Sequence, residues 1–383
     1  MKQIVCLSTS NWHPYPTRKQ QIMGRLKDAR VLYFDPPVTL ASPLKDRGAR
    51  GRIAHYKNPG EKVTDNVAVH ALPPVLPLYN RLRGINMLNQ RRLAAHIRGV
   101  MAAEGFDDAV LWIYSPMYAD IVSLLPHRAV VYDCVDRHSA YPGQINPAVV
   151  DSMEADLVRK ADFVFTTAQG LYDRLLPLNG RIALIPNGAN FELFNKASDK
   201  SLPFPKDMFN VREPVFGFAG ALQECIEYSF VEFAARRHRD WSFVFVGKTL
   251  PGVNTGGLSG LKNVHFLGLK PYKELVNYMA RFDVCLNLFR SGDLAKDVSP
   301  LKFYEYLATG KPIISTPQPD QVLDYKDVIY LAHNEREFES QCALALSERD
   351  AGKTAQRIKY GLSCSWDARA DEMERELLKA DVF

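Results

Sequence analysis

The chain has 383 residues, of which 46% are hydrophobic and 24% are charged, a composition typical of a globular protein of two domains. No apolar run reaches the roughly 18 residues that a membrane-spanning helix needs, and the short apolar run at the N terminus predicts a strand rather than a signal peptide. The six cysteines have no paired spacing and the histidines have no zinc-site spacing, which argues against a disulfide framework and a metal centre.

The net charge of +5 is unevenly distributed. Residues 1–100 hold 17 Lys and Arg against 5 Asp and Glu, whereas residues 101–383 hold 31 against 38. This asymmetry favours an anionic partner for the first hundred residues, such as membrane lipid, lipid-linked phosphate, acidic polysaccharide or nucleic acid. A basic face in contact with water alone would give the same composition, so both interpretations stay open.

Strand and helix patterns alternate along the first half of the chain, which predicts a parallel sheet with helices on both faces. The predicted strands are 3–8, 31–35, 67–72, 109–114, 129–132, 163–167 and 182–185. The predicted helices are about 18–28, 81–103, 117–125, 148–160 and 171–176.

Polar residues follow two of these strands. Asn11 and Trp12 come after the first strand, and Asp133 and Asp136 come after the strand at 129–132. Ligands bind at the carboxyl ends of strands in open α/β sheets, so these four residues are candidates for ligand contact. Equally, Trp12 could pack between domains and Asp133 could cap the following turn.

The predicted helix at 81–103 is basic. It has an imperfect apolar stripe and five arginines: Arg81, Arg83, Arg91, Arg92 and Arg98. A helix of this kind can lie on an anionic membrane. The alternative is a helix packed on the N-terminal sheet with its basic face in water.

Residues 196–214 are polar and contain several prolines, which predicts a linker between a first domain, 1–195, and a second, 215–360. Beyond the linker the alternation restarts. The predicted strands are 215–220, 242–246, 264–267, 284–288 and 312–316, and the predicted helices are 227–237, 272–280, 300–309 and about 366–380. Two tandem doubly wound domains would face each other across a cleft.

The helix at 300–309 has signals at both ends. Ser299 can cap its N terminus, and Pro300 suits the first helical position. Gly310 can end it in a left-handed conformation, and Pro312 prevents its continuation. The start of such a helix beside a sheet is an anion site.

Lys302 lies in the first turn of this helix, where a cation opposes the helix dipole unless an anion is bound. Glu305 lies one turn further on the same face, where it could accept hydrogen bonds from a ribose diol. Asp297 precedes Glu305 by eight residues. The arrangement predicts a nucleotide site; a surface Lys–Glu pair is the alternative.

These residues resemble a known family, the GT-B glycosyltransferases of the broad family-4 type, in particular a subgroup of bacterial polysaccharide and cell-wall sugar assembly. The matching signature is Ser299-Pro300-x-Lys302-x-x-Glu305-Tyr306-x-Ala308-x-Gly310-x-Pro312, with Asp297 and Glu305 as the acid pair of the family. The resemblance is strong over 215–317 and weak over 36–105. It implies two Rossmann-like domains facing a cleft, with the residues 361–383 forming a C-terminal helix that packs back on the first domain.

The resemblance also implies a retaining glycosyl transfer from a nucleotide-sugar donor, a UDP-sugar, without cofactor or metal. Lys302, the start of the helix at Ser299-Pro300 and the turn Gly220-Ala221 would hold the diphosphate, helped by Lys248 or Arg290. Glu305 would hold the ribose, Asp297 the donor sugar, and Lys270 would border the base.

The acceptor would be a saccharide or a lipid-linked saccharide read by the N-terminal domain, with Asn11, Trp12, Asp133 and Asp136 on the acceptor side. The unpaired cysteines indicate a cytoplasmic protein, and the basic N-terminal charge and helix suggest a peripheral position at the inner face of the plasma membrane. No recognised nucleic-acid module is present, so nucleic acid is not an expected partner.

Two departures from the family pattern keep other functions open. Ala221 and Ile226 stand where many members carry Arg and Lys, and Asp297 stands where Glu is common. A catalytically degenerate scaffold or partner subunit, or a sugar-nucleotide epimerase or phosphorylase of the same architecture, are the alternatives. An NAD-dependent dehydrogenase is disfavoured, because no strand runs into a Gly-x-Gly-x-x-Gly turn.

Overall fold

A computed structural model describes residues 1–42, 56–141, 143, 145–199, 201–292 and 295–383. It divides into two compact units: unit 1 is Met1–Pro186 with Arg369–Phe383, and unit 2 is Asn187–Ala368. In the described parts of the chain, no helix has the length and the hydropathy needed to cross a membrane.

Unit 1 is organised around a sheet that has eight strands in the described residues. The strands are β1 Lys2–Leu7, β2 Ala29–Asp35, β3 Glu61–Lys62, β4 Val67–Ala71, β5 Ala109–Ile113, β6 Ala129–Cys134, β7 Phe163–Thr166 and β8 Ile182–Leu184. Their order is β3-β4-β2-β1-β5-β6-β7-β8, parallel except for the β3–β4 pair. The helices are α1 Arg18–Met23, α2 Arg83–Glu104, α3 Pro147–Lys160 and α4 Gln169–Leu175.

The predicted helix at 117–125 is wrong. Two short 3-10 turns, Pro116–Tyr118 and Val122–Leu124, stand in its place. The side-chain amide of Asn86 on α2 donates to the carbonyl oxygen of Met117 at 2.8 Å. That carbonyl would be needed for the next turn of an α-helix, so the contact with α2 replaces helical hydrogen bonding.

Unit 2 is a second parallel sheet with helices. Its strands are β9 Val215–Ala219, β10 Ser242–Val246, β11 Val264–Gly268, β12 Val284–Asn287, β13 Ile313–Ser315 and β14 Tyr330–Leu331, in the order β11-β10-β9-β12-β13-β14. Its helices are α5 Phe191–Phe194, α6 Tyr228–Arg237, α7 Leu275–Met279, α8 Leu301–Thr309, α9 Glu335–Ser347, α10 Ala351–Ser363 and α11 Trp366–Lys379, of which the last ends in unit 1. The prediction of two Rossmann-like α/β domains is confirmed.

The apolar core of unit 2 reflects the alternation of side chains along its strands, in which every second residue points to the same sheet face. Phe243 and Phe245 of β10 join one apolar cluster, which includes the buried face of α6. Val244 and Val246, which alternate with them, join a second cluster that includes the buried face of α8. Side chains of a strand point alternately to the two sheet faces, so helices on both faces cover one continuous sheet.

The division between the units differs from the predicted linker at 196–214, which lies inside unit 2. Phe194, Ala197 and Met208 are buried in the apolar core of that unit. Tyr278 also donates its hydroxyl hydrogen to Asp207 at 3.0 Å. The prolines of this segment therefore shape a packed excursion, and the chain passes between units at Pro186–Asn187.

The last helix begins in one unit and ends in the other. At its start, the Trp366 N–H donates to the carbonyl oxygen of Ala189 in unit 2 at 3.0 Å. Near its end, Glu374 accepts from the Lys2 ammonium in unit 1 at 2.7 Å. The prediction that a C-terminal helix returns to the first domain is confirmed, although the returning segment is Arg369–Phe383 rather than 361–383.

Candidate functional site

The strand order of unit 2 marks one place as a ligand site. β9 lies between β10 and β12, so the direction in which strands are added reverses at β9. Ligands of open α/β sheets bind outside the carboxyl ends of the strands at such a switch point. We use the term switch edge for Gly220 and Ala221, which follow β9, together with Lys302 and Glu305 at the start of α8.

The start of α8 is held by a segment distant in sequence. Ser299 does not cap the helix as predicted, because its hydroxyl accepts the backbone N–H of Asn187 at 3.0 Å. The side-chain amide of Asn187 also donates to the Ser299 carbonyl oxygen, at 3.1 Å. Pro300 is the N-cap residue rather than the first helical residue that was predicted, because the helix begins at Leu301. Gly310 ends the helix with a φ of 71°, as predicted. Asn187 was missed, because it lies 112 positions from Ser299 in the sequence.

Lys302 and Glu305 form an ion pair. The Lys302 Nζ lies 3.0 Å from Glu305 Oε2, and the side chains are 26% and 1% exposed, respectively. Burial raises the pKa of Glu305, and the charge of Lys302 opposes this by lowering it. A carboxylate has about four acceptor sites, so Glu305 can accept further hydrogen bonds beside the one from Lys302. A ligand with hydroxyl groups would donate such hydrogen bonds.

The turn after β9 lies beside Lys302. A Cβ atom added at Gly220 would lie 3.4 Å from Lys302 Cε and 3.2 Å from the ring of Phe218. Gly247 has a φ of 151°, and a Cβ there would lie 1.8 Å from the Gly220 carbonyl oxygen. Only glycine at position 247 permits this close approach between the ends of β9 and β10.

Tyr306 ties the helix to the sheet. The Ala219 N–H at the end of β9 donates to the Tyr306 hydroxyl at 2.8 Å. Tyr306 is fully buried, and burial raises its pKa well above the usual value. The sequence showed Tyr306 in the motif, but its partner on β9 could be found only from the fold.

Asp297 lies in a 3-10 turn, Ala295–Asp297, just ahead of α8, and is 3% exposed. The expected acid pair of Asp297 with Glu305 stays a prediction. Lys248 directly follows Gly247 and is exposed, while its carbonyl oxygen accepts the Leu222 N–H at 2.9 Å. The structure leaves the roles of both side chains as predictions.

Two other predicted donor-binding cations have protein partners. The Lys270 Nζ lies 2.6 Å from the Asp207 carboxylate, which raises the pKa of Lys270. Arg290 lies 3.8 Å from Glu227. Ile226, at the position where many relatives of the resembled family carry lysine, is 3% exposed in an apolar cluster. Among the described residues, Lys302 lies beside Gly220 without such an apolar or distant-segment partner, and it remains the cation of the switch edge.

Asp133 is engaged in a buried ion pair in unit 1. Arg18 Nε donates to both carboxylate oxygens, at 3.1 and 3.0 Å, and Asp133 is fully buried. The Arg18 guanidinium also donates to the carbonyl oxygens of Ile185 and Pro186, at 3.0 Å each. The pair fastens α1 to the ends of β6 and β8. This makes Asp133 a structural residue, and Arg18 was missed because its partner is remote in sequence.

The other acceptor-side candidates lie in fastened loops. The backbone N–H of Trp12 donates to the Asp35 carboxylate at 2.8 Å. The Trp12 ring packs edge-on against the Tyr33 ring, with centroids 5.0 Å apart. The Asn11 carbonyl oxygen accepts from Gln20 at 2.6 Å. Asp136 is half-buried and accepts the Tyr141 hydroxyl hydrogen at 2.7 Å. These residues follow β1 and β6, as predicted. The contact between Trp12 and Tyr33 lies within unit 1, so packing of Trp12 between domains stays a prediction.

Within the described residues, no group of three or more His, Cys, Asp or Glu side chains is placed to hold a metal ion. The six cysteines are free thiols, and all but Cys225 are buried.

The segment that carries this site is similar to known proteins. Residues 213–348 match the family Glycosyl transferases group 1. A curated relative from Bacillus subtilis (strain 168), "Putative teichuronic acid biosynthesis glycosyltransferase TuaH", is 28% identical over 237 residues. That alignment covers 57% of this chain and 58% of the relative.

Solved structures match the whole chain. Sucrose-phosphate synthase from Thermosynechococcus elongatus has a TM-score of 0.69 at 15% identity, covering 99% of this chain and 100% of that one. HepE from Anabaena, in complex with UDP and glucose, has a TM-score of 0.62 at 14% identity, covering 99% of both chains. At these identities the likeness concerns the fold. The chain thus has the GT-B fold of these structures, and its residues 213–348 match the family Glycosyl transferases group 1.

Proposed function

We propose that the chain is a glycosyltransferase that moves a sugar from a nucleotide-sugar donor to a saccharide acceptor. The group 1 domain and the relative from Bacillus subtilis support the class of reaction. The observation that carries the proposal is the buried Glu305 with Lys302 beside it, at the start of a helix and at the switch point of the sheet.

The charges of the switch edge suit the donor. Breaking the bond from the anomeric carbon to a diphosphate builds negative charge on the leaving group, and fixed positive groups accelerate such a step. Lys302 and the free N–H groups at the start of α8 supply them. Glu305 would accept the two hydroxyl hydrogens of a ribose, and Asp297 would contact the donor sugar.

The finer assignments follow the resemblance and the relatives. We propose UDP as the nucleotide, since HepE of the same fold holds UDP and glucose. We propose retention of anomeric configuration and no requirement for a metal or cofactor. The acceptor would be a saccharide or a lipid-linked saccharide of the cell wall, in line with the name of the Bacillus relative.

Calorimetric titration with UDP, GDP and ADP tests the donor site. We expect one nucleotide to bind wild type, and both Lys302→Ala and Glu305→Ala to weaken it by about 1–3 kcal/mol, the range for lost hydrogen bonds to charged groups. Lys326→Ala, at an exposed lysine of the same unit, is the control and should bind like wild type.

If folded wild-type protein binds none of the three nucleotides, the transferase proposal fails. A scaffold or partner subunit then becomes the better hypothesis, since Ala221 and Ile226 leave the usual basic pair absent. If a nucleotide binds, the anomeric configuration of the product, read by nuclear magnetic resonance, tests retention.

A further inference from the structure

A stretch of unit 1 lacks acidic residues. From Asn66 to Ala103 the sequence has no Asp or Glu and has five arginines. Two of these have partners: Arg83 lies 2.9 Å from Asp120, and Arg98 donates to the Leu124 carbonyl oxygen at 2.7 Å.

The other three arginines, Arg81, Arg91 and Arg92, are exposed, and their side chains make no hydrogen bond or ion pair with the residues that the structure describes. Arg91 and Arg92 lie one turn beyond Met87 and Leu88 on the exposed face of α2. Among the residues described, these three guanidinium groups therefore have no carboxylate partner, and they are presented to the outside of unit 1.

Large apolar side chains accompany these charges. Leu88 is 57% exposed, Leu82 is 53% exposed and Leu76 is 41% exposed. Single exposed leucines are common on protein surfaces, but here they are interleaved with unpaired arginines within one loop and the first half of one helix.

The loop that carries Leu76 is held in this position by α2. The Asn89 side chain accepts the Leu76 N–H at 2.8 Å and donates to the Leu76 carbonyl oxygen at 3.0 Å. Leu78 adopts a left-handed backbone with a φ of 66°, and its carbonyl oxygen accepts the N–H groups of Arg81 and Leu82. These hydrogen bonds fix the backbone of Leu76 and Leu82, whereas Leu88 is placed by α2 itself.

We propose that these residues form a docking face (Leu76, Leu82, Leu88, Arg81, Arg91 and Arg92) for an anionic lipid bilayer. The arginines would lie among lipid phosphates, and the leucines would enter the boundary between headgroups and acyl chains. The combination decides the partner: a polyanion such as nucleic acid uses the arginines and leaves the leucines in water, whereas a bilayer uses both. This binding requires neither donor nor acceptor sugar.

Sedimentation with vesicles tests the docking face in the full chain. One set of vesicles contains equal parts of phosphatidylglycerol and phosphatidylcholine, and the other contains phosphatidylcholine alone. We expect binding to the anionic set that weakens as salt is raised. Replacing Arg81, Arg91 and Arg92 by Gln should weaken it about 100-fold, at roughly fivefold per arginine near the surface.

The matched control is the triple change Arg212→Gln, Arg239→Gln and Lys262→Gln, which removes the same charge from exposed positions of unit 2. It should bind vesicles within about twofold of wild type, because charges outside the face contribute little. An equal loss in both triple variants would mean attraction by net charge alone and would overturn the docking face.

The leucines are tested by Leu82→Ser with Leu88→Ser. Leu82 is the N-cap residue of α2, where serine is preferred, so this pair should keep the helix intact. We expect anionic-vesicle binding to fall at least tenfold with an unchanged melting temperature. If this double variant binds anionic vesicles as tightly as wild type does, the arginines form a polyanion site instead. If the wild-type protein does not bind anionic vesicles at low salt, the proposal is overturned outright. Nucleotide titration of the same proteins separates either result from failure of the donor site.

Discussion

Glu305 is an ionisable group that folding has buried to 1% exposure, and this burial raises the pKa of its carboxyl group. Desolvating a charge is unfavourable, and a single partner such as Lys302 offsets only part of the penalty. A glutamine would satisfy packing at lower cost in free energy. The carboxylate is therefore best explained by what it binds rather than by the stability of unit 2.

Replacing Glu305 by Gln should separate stability from binding. We expect the melting temperature to stay the same or rise, because a buried charge is removed while Lys302 keeps access to water. The affinity for UDP should fall by about 1–3 kcal/mol, since an amide accepts fewer hydrogen bonds than a carboxylate. Calorimetry measures both, with exposed Glu274→Gln as the control. A large fall in melting temperature would make Glu305 a structural residue.

Lowering the pH should stabilise wild type relative to Glu305→Gln. A pKa raised in the folded state means that folded protein binds the proton more tightly than unfolded protein does. Lowering the pH from about 7 to about 5 therefore stabilises wild type relative to the variant. Urea unfolding of both proteins across this range measures it. A wild type that loses stability relative to the variant as the pH falls would contradict the raised pKa.

Asp133→Asn should mainly affect folding. Removing one partner of a buried ion pair leaves the Arg18 charge uncompensated, which costs about 3–5 kcal/mol. Denaturant unfolding should show this loss, while UDP binding to folded protein stays unchanged. If Asp133→Asn is as stable as wild type but impairs use of the acceptor, the carboxylate contacts the acceptor and the structural assignment is wrong.

The residues that could be assigned from sequence are those with local partners. Lys302 and Glu305 are three positions apart on a helix, so their contact follows from helical geometry. Ser299 and Asp133 have partners 112 and 115 positions away. Ser299 was expected to cap its own helix because the competing donor, Asn187, is brought to it only by the fold.

Among the elements, α8 is fixed at both ends. Asn187 holds its start, and the buried Arg357 of α10 donates to the Gly310 carbonyl oxygen at its end, at 2.9 Å. Between these contacts α10 lies directly against the helix: a Cβ at Gly361 would lie 2.6 Å from the Ala308 backbone. The position of Lys302 and Glu305 thus depends on a helix far from the switch edge.

Gly361→Ala should push α10 away from α8. Overpacking against backbone atoms costs about 1–3 kcal/mol, and the displacement should also weaken nucleotide binding. Gly99→Ala is the matched control, since Gly99 lies in α2 with no atom within 4 Å of the added Cβ. The control should be stabilising by about 0.5–1 kcal/mol, because alanine favours helix. Equal effects of the two changes on unfolding would show that α8 tolerates the shift.

At the scale of the whole molecule, unit 1 is completed by a segment that follows unit 2 in the chain. Met373, Leu377 and Val382 are buried in unit 1. The alternation of strands and helices was enough to predict two α/β domains. It could not place the boundary, because a proline-rich segment packed in unit 2 has the composition of a linker.

Deleting 369–383 should destabilise unit 1 selectively. Each large apolar side chain that is lost from a buried position contributes roughly 1.5–3 kcal/mol. Hydrogen exchange read by mass spectrometry should show faster exchange in β1 and β2, while β9 and β10 keep their protection. Equal loss of protection in both units would mean that they fold as one cooperative block.

The path of α11 also sets an order of events during synthesis. A ribosome makes all of unit 2 before it makes Arg369–Phe383, so unit 2 can fold while unit 1 still lacks its closing helix. The surface of unit 1 that receives Met373 and Leu377 stays uncovered during that interval. A chain stalled in translation within unit 2 would therefore carry an unfinished first half, with an apolar surface that chaperones and proteases recognise.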